Sequence, residues 1–153
     1  MKSFGKSWLS VLIEYTLSFL MLLALVLTVT LPWSIPAVTL HSPGEPEMWF
    51  EKYLIVLFIS GVMALLILWQ ARAILHIINR LNPFVRKIVR RLRIIGAECI
   101  VLAMFYFISV FVVTKFFMVV VFVTFSVVGM ILFVFAQIFD QAISYKEEND
   151  MTI

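Results

Sequence analysis

The sequence predicts an all-α fold, an integral membrane four-helix transmembrane bundle with both termini in the cytoplasm. Of the chain's 153 residues, 63% are hydrophobic, whereas soluble domains are usually about 45–50% apolar. The charged residues, 14% of the total, are clustered between long apolar stretches. Because a small aqueous core cannot bury so much apolar surface, lipid must be the main solvent of this chain.

Four apolar stretches are long enough to cross a bilayer core, which needs about 20 helical residues. They cover residues 8–31, 53–75, 94–114 and 116–139. Only Lys115 separates the last two, so these are expected to form a tight antiparallel hairpin. The first stretch is too long for a cleavable signal peptide, and Glu14 interrupts its start.

The orientation follows from Lys and Arg, which accumulate on the cytoplasmic side of membrane proteins. Only Lys52 and Lys115, of the 12 such residues, lie on the other side. The basic segment 76–93 and the tail 140–153 are therefore predicted to be cytoplasmic. Residues 32–52 are predicted to be an outer loop, because four prolines interrupt that segment.

The start of the third helix interleaves cations with apolar residues, which is typical of a helix at the membrane–water interface. Asn82 is the predicted N-cap and Pro83 the first helical residue. The cations expected to contact lipid or a partner are Arg86, Lys87, Arg90, Arg91 and Arg93. Anionic lipids are the first expected ligand, and an acidic protein is the alternative. Nucleic acid is not expected, because no nucleic-acid-binding module accompanies the charge.

Ionisable side chains inside a bilayer are costly and often functional. The candidates are Glu14, Arg72, Glu98 and Asp140, with Gln137 close by. Counted at 1.5 Å per residue, the acids lie about 7–9 Å inward from markers of the cytoplasmic interface, so one shared polar layer is predicted. We expect Arg72 to pair with one or more of the acids. The alternative is that each acid reaches the headgroups separately.

The C-terminal tail carries acids on the same side of the membrane as the basic run 86–93. They are Glu147, Glu148 and Asp150. These acids are expected to meet the basic run and tie the tail over the bundle, and a solvated tail is an equally open alternative.

The sequence contains no phosphate-binding loop, nucleophile elbow, zinc-protease motif or Cys-x-x-Cys. His41 and His76 fall on opposite sides of the membrane, and the single cysteine, Cys99, excludes an internal disulfide. No enzyme activity, cofactor or metal site is therefore predicted.

Motifs near the C-terminus and before the third membrane stretch carry a family resemblance. The C-terminal motif is Glu147-Glu148-Asn149-Asp150-Met151-Thr152-Ile153, after Ala136-Gln137-Ile138-Phe139-Asp140-Gln141-Ala142. The central elements are Asn82-Pro83-Phe84 and Arg91-Leu92-Arg93-Ile94-Ile95-Gly96. The whole chain resembles the YoaS-like family of small bacterial membrane proteins, a domain of unknown function.

The resemblance implies a protein of the bacterial cytoplasmic (inner) membrane. It also implies a link to regulation or stress response, since members are often encoded beside a small helix-turn-helix regulator. Many members carry a glycine-containing turn after the last helix. Gln141-Ala142 takes that place here, which predicts a more helical connection.

The expected function is non-enzymatic: a regulatory or accessory protein that acts through a protein or lipid partner at the cytoplasmic face. The first alternative is a small transporter or channel that uses the polar layer. It would be a homo-oligomer, because four helices enclose a path only narrowly. The second alternative is immunity-type protection against a membrane-active peptide.

Overall fold

A computed structural model describes residues 8–39, 47–80, 86–113 and 116–151. The described chain is helical throughout: α1 is Trp8–Thr39, α2 is Glu47–Arg80, α3 is Arg86–Val113 and α4 is Phe116–Met151. Each helix is long and apolar enough to cross a membrane. The prediction of an all-α fold with four transmembrane helices is therefore confirmed.

The apolar sequences form helices because hydrocarbon offers no partner for backbone N–H and C=O groups, which must be satisfied within the segment. Side-chain hydroxyls follow the same constraint. Thr28, Ser109 and Thr124 each donate to the carbonyl four residues earlier, over 2.7–2.8 Å. The hydroxyl groups of these residues are therefore hydrogen-bonded within their own helix and need no partner from the lipid.

The helices are longer than the membrane stretches expected from the sequence. α1 continues through Pro32 and Pro36 to Thr39, and α4 continues to Met151. Both ends of the expected outer loop 32–52, residues 32–39 and 47–52, are thus helical, as is most of the tail 140–153, including Gln141-Ala142. Proline removes one backbone donor but is tolerated in transmembrane helices. The predicted N-cap at Asn82 and residues 40–46 of the loop lie outside the described residues.

The helices pack in chain order: α1 on α2, α2 on α3, and α3 on α4. Among the described residues, no other pair of helices comes into backbone proximity. The connections hold seven residues at most, a reach of about 25 Å, while the shortest helix is about 42 Å long. Neighbouring helices are therefore antiparallel.

An apolar cluster joins α2, α3 and α4. Val56, Leu102, Tyr106 and Met118 are buried at its centre. Within it, the hydroxyl groups of Ser60 and Tyr106 form a 2.8 Å hydrogen bond between α2 and α3. α1 stands outside this cluster and contacts α2 alone among the described helices.

The contact between α1 and α2 depends on a residue without a side chain. Thr28 of α1 is buried against Gly61 of α2. A Cβ atom at Gly61 would lie 2.3 Å from the Thr28 hydroxyl oxygen and 2.9 Å from its methyl carbon. Both distances are shorter than van der Waals contact, so the two helices can approach this closely only with glycine at position 61.

We expect Gly61→Ala to destabilise the α1–α2 contact by about 1–3 kcal/mol, the usual cost of overpacking. Reversible unfolding in mixed micelles measures this cost. Thr28→Ala removes the hydroxyl and methyl that clash, so the double variant Thr28→Ala/Gly61→Ala should recover most of the lost stability. A Gly61→Ala protein as stable as the wild type would contradict the close approach.

Candidate functional site

The charged side chains concentrate at one end of the helical array, which we call the basic end. It carries the first residues of α3 and the last residues of α4, and Arg80 at the end of α2 lies at the same end. About 20 helical residues are enough to cross the hydrocarbon core, and α4 has 36. α4 is therefore long enough to extend beyond the hydrocarbon at the basic end.

α3 and α4 pack against each other along an antiparallel seam. Covered positions recur on both helices at alternating steps of three and four residues, the heptad spacing of a left-handed coiled coil. On α3 they are Val89, Leu92, Gly96, Cys99, Ala103 and Tyr106. On α4 they are Met118, Phe122, Phe125, Gly129, Leu132, Ala136, Phe139 and Ile143. This regular seam runs from the far end of the hairpin to the basic end.

Two glycines bring the helices together in the middle of the seam. A Cβ at Gly96 would lie 3.3 Å from the Gly129 carbonyl oxygen, and a Cβ at Gly129 would lie 3.1 Å from the Gly96 carbonyl oxygen. The α3 and α4 backbones are therefore almost in direct contact here. Small residues at such crossings are the usual way that helices pack in lipid.

Beyond the glycine crossing, the two helices form a unit that we call the stem, residues 86–93 of α3 and 136–147 of α4. Val89, Ala136 and Ile143 are buried at its centre, with Leu92 and Phe139 packed against them. The stem thus has an apolar core of its own at the basic end.

Two ion pairs flank the core of the stem. Arg86 binds Glu147 with two hydrogen bonds, from Nη2 to Oε2 over 2.7 Å and from Nε to Oε1 over 3.3 Å. Arg93 Nη2 donates to Asp140 Oδ2 over 2.9 Å. The paired residues are seven apart on each helix, which is one heptad. Both pairs therefore report the same register between α3 and α4.

The Arg86–Glu147 pair, which we call the outer pair, is open to solvent. The hydrogen bond from Arg86 is the main cause that holds the pKa of Glu147 below its ordinary value, and the same bond raises the pKa of Arg86. The side chains of both pairs are 37–64% exposed, and such exposed pairs contribute little to stability because water screens their charges. Their role is therefore to select the register more than to stabilise the fold.

A third contact ties the stem to α2. Arg91 Nη1 donates to Gln70 Oε1 over 2.5 Å. Of the five cations predicted to contact lipid or a partner, three thus bind partners inside the molecule. Lys87 and Arg90 have exposed side chains, and no hydrogen bond or ion pair of theirs is found within the described part of the chain.

The structure brings together only part of the predicted polar layer. Asp140 is bound by Arg93, and within the described ranges Arg72 forms no ion pair. Gln137 is exposed on α4. The expected ion pair between Arg72 and one or more of the acids is therefore not formed within the described ranges. Asp140 binds Arg93 instead, because Asp140 occupies a flank of the seam with α3.

Glu14 and Arg72 belong to the separate α1–α2 contact. Glu14 is half-buried on the stripe of α1 that includes Thr28, and Arg72 is half-buried on the stripe of α2 that includes Gly61. Counted from the Thr28–Gly61 contact, the two residues lie about 21 and 16 Å along antiparallel helices. They therefore share a level to within about one helical turn without forming an ion pair.

Glu98 lies apart from both clusters. It is five residues beyond Arg93 along α3, or about 7.5 Å deeper than the Arg93–Asp140 pair. Its Oε2 atom is buried and has no hydrogen-bond partner in the described structure.

The expected contact between the tail and the basic run is formed by Glu147. Sequence reasoning missed Gln70 as a partner and the register of the ion pairs. The register of the ion pairs could have been predicted from the heptad spacing of apolar residues in both helices. This spacing places Arg86 and Arg93 opposite Glu147 and Asp140. No sequence pattern predicts the contact between Arg91 and Gln70, because a single amide side chain does not recur at a regular spacing.

We expect charge reversal at Arg86 or Glu147 alone to disturb the stem, and charge reversal at both to restore it. Arg86→Glu and Glu147→Arg should each lower stability slightly and loosen the stem, because like charges then face each other. The double variant Arg86→Glu/Glu147→Arg should restore both properties. Unfolding in micelles gives the stability, and the distance between spin labels at Lys87 and Ser144 gives the packing of the stem. Equal effects in single and double variants would show that the pair does not couple the helices.

Comparison with known proteins returns one family and no closer relative. Neither the curated proteins nor the solved structures contain a match to this chain. The family described as "Protein of unknown function (DUF2975)" matches residues 6–153. This agrees with the resemblance to an uncharacterised family, although it does not support the name YoaS-like. The chain therefore belongs to the DUF2975 family of proteins of unknown function.

Proposed function

We propose that this chain is a non-enzymatic accessory or regulatory protein of the bacterial cytoplasmic membrane, which presents the stem to a cytoplasmic protein. The observation that carries the proposal is the stem itself. A chain that only needed to insert in lipid would need no helix pair beyond the hydrocarbon with its own apolar core and two ion pairs in register. A pre-organised helical surface is what a binding partner uses.

The surface available for binding is a stripe on α4 that does not face α3. Its residues recur at steps of four and three: Gln137, Gln141, Ser144 and Glu148, with Tyr145 beside them. This spacing lets a second helix lie along the stripe. The amide and hydroxyl groups can form hydrogen bonds that orient the bound helix, and tyrosine is common in protein interfaces.

The side of the membrane is supported by the distribution of charge. Lys and Arg concentrate at the basic end and in the segments next to it, which favours a cytoplasmic location for the stem. A partner bound there would be a soluble protein or the cytoplasmic part of another membrane protein.

A photo-crosslinking amino acid placed at Gln141 or Ser144 tests the proposal in intact cells. Both positions should give a protein adduct of one defined mass, and Val101 on the lipid-exposed side of α3 should not. The adduct should weaken with Glu147→Arg and return with Arg86→Glu/Glu147→Arg, because the charge exchange restores the stem. No protein adduct at the stripe, or the same adduct at Val101, would exclude the proposed docking surface.

A second candidate, an oligomeric transporter or channel, is favoured by Glu98. Its buried Oε2 has no partner among the described residues, and an unpaired carboxylate in hydrocarbon is the kind of group that carries protons or cations across membranes. Glu14 is a weaker candidate, because it lies level with Arg72.

For this second function, the chain reconstituted in liposomes should carry protons or cations, and Glu98→Gln should abolish the flux. Glu148→Gln removes the same charge next to the stem and should leave flux unchanged, which makes it the matched control. A pH-sensitive dye inside the liposomes reports proton flux. A wild-type protein that carries no proton or monovalent cation would eliminate the transporter and leave the accessory function in place.

A further inference from the structure

One side of α3 is covered by neither α2 nor α4. At 3.6 residues per turn, Lys87, Arg90, Val101, Met104 and Ile108 fall within an arc of about 100°. All five are exposed in the structure, and the three apolar ones are 53–60% exposed. We call this face the open face of α3. It is cationic at the basic end and apolar along the membrane-spanning part.

The cations of the open face differ from their neighbours in the basic run. Arg86 and Arg93 bind acids of α4, and Arg91 binds Gln70 of α2. Lys87 and Arg90 have no such partner in the described part of the chain. The pair is therefore available to a ligand, while the rest of the basic run is occupied.

The depth of the two cations matches that of lipid phosphates. Ile94 is the first residue of the apolar stretch, so Arg90 lies about 6 Å and Lys87 about 10 Å outside the hydrocarbon. Each headgroup layer of a bilayer is roughly 5–7 Å thick. A lipid whose chains lie against the apolar half of the open face would therefore place its phosphate next to Arg90.

We propose that the open face of α3 is a binding site for an anionic phospholipid. Arg90 holds the phosphate, Lys87 holds further negative charge in the headgroup, and the acyl chains lie along Val101, Met104 and Ile108. A free phosphate would use only the two cations. The continuous apolar strip below them selects a lipid, and two cations rather than one select an anionic headgroup over a zwitterionic one. This site does not depend on the proposed protein partner.

Native mass spectrometry of the purified chain in detergent, with added phosphatidylglycerol or phosphatidylcholine, tests the site. The wild type should retain phosphatidylglycerol preferentially. Lys87→Gln/Arg90→Gln should reduce that retention roughly 10–30-fold, from the loss of two cations near the headgroup. Arg90→Lys keeps the charge and should retain most of the binding.

The matched control is Arg86→Gln/Arg93→Gln, which removes two positive charges from the same segment, residues 86–93, but from side chains that bind α4. It should leave lipid retention close to that of the wild type, because both side chains are held by acids of α4. An equal loss in both double variants would mean that overall charge, and not the open face, attracts the lipid. Val101→Asn leaves every charge in place, and its failure to weaken retention would show that the acyl chains do not use the apolar strip.

Competition with inorganic phosphate tests whether the site binds the phosphate of a lipid headgroup or free phosphate. Phosphate at millimolar concentration should not displace phosphatidylglycerol, because phosphate makes no contact with the apolar strip. Complete displacement would overturn the assignment of a lipid site. Helical content and mobility in detergent should be unchanged in the variants, which confirms that a loss of binding is not a loss of folding.

Discussion

The close packing of α3 against α4 is the constraint on which the basic end depends. Lipid tails are as apolar as the helices, so burial alone does not drive two helices together in a membrane. Association requires dense contact, which Gly96 and Gly129 allow by bringing the backbones together. The heptad repeat on both sides then leaves one register in which apolar positions interlock. In this register Arg86 meets Glu147 and Arg93 meets Asp140, so the ion pairs favour the same register as the apolar contacts.

Hydropathy was sufficient to predict the four helices, because it follows from the order of residues along the chain. The charges made a contact of the tail with the basic run one of two equally open expectations. The partner of Asp140 was not predictable in the same way. Counting residues places Asp140 and Arg72 at similar depths, but depth does not specify direction around the helix axis. Asp140 flanks the seam with α3, and Arg72 lies on the stripe of α2 that contacts α1. The end of α1 was missed for another reason, since Pro32 and Pro36 read as helix breakers although lipid tolerates them.

The five cations of α3 look equivalent in the sequence, but their different partners in the structure give them different roles. A basic run beside a membrane helix is expected for topology, and any of its members serves that purpose equally. The structure distinguishes them, since Arg86 and Arg93 fix the register, Arg91 holds α2, and Lys87 with Arg90 stay open. Substitutions within the run should therefore differ in kind, although each removes the same charge.

The proposed lipid site and the proposed docking stripe lie on different helices, so both can be occupied together. The lipid site is on the open face of α3, and the stripe is on α4 beyond the glycine crossing. A lipid held at Arg90 would fix the height of α3 in the membrane. Because the two ion pairs transmit that height to α4, the stripe would be held at a constant distance from the headgroups. The same register that positions the charges would then decide how far from the membrane surface a partner can bind.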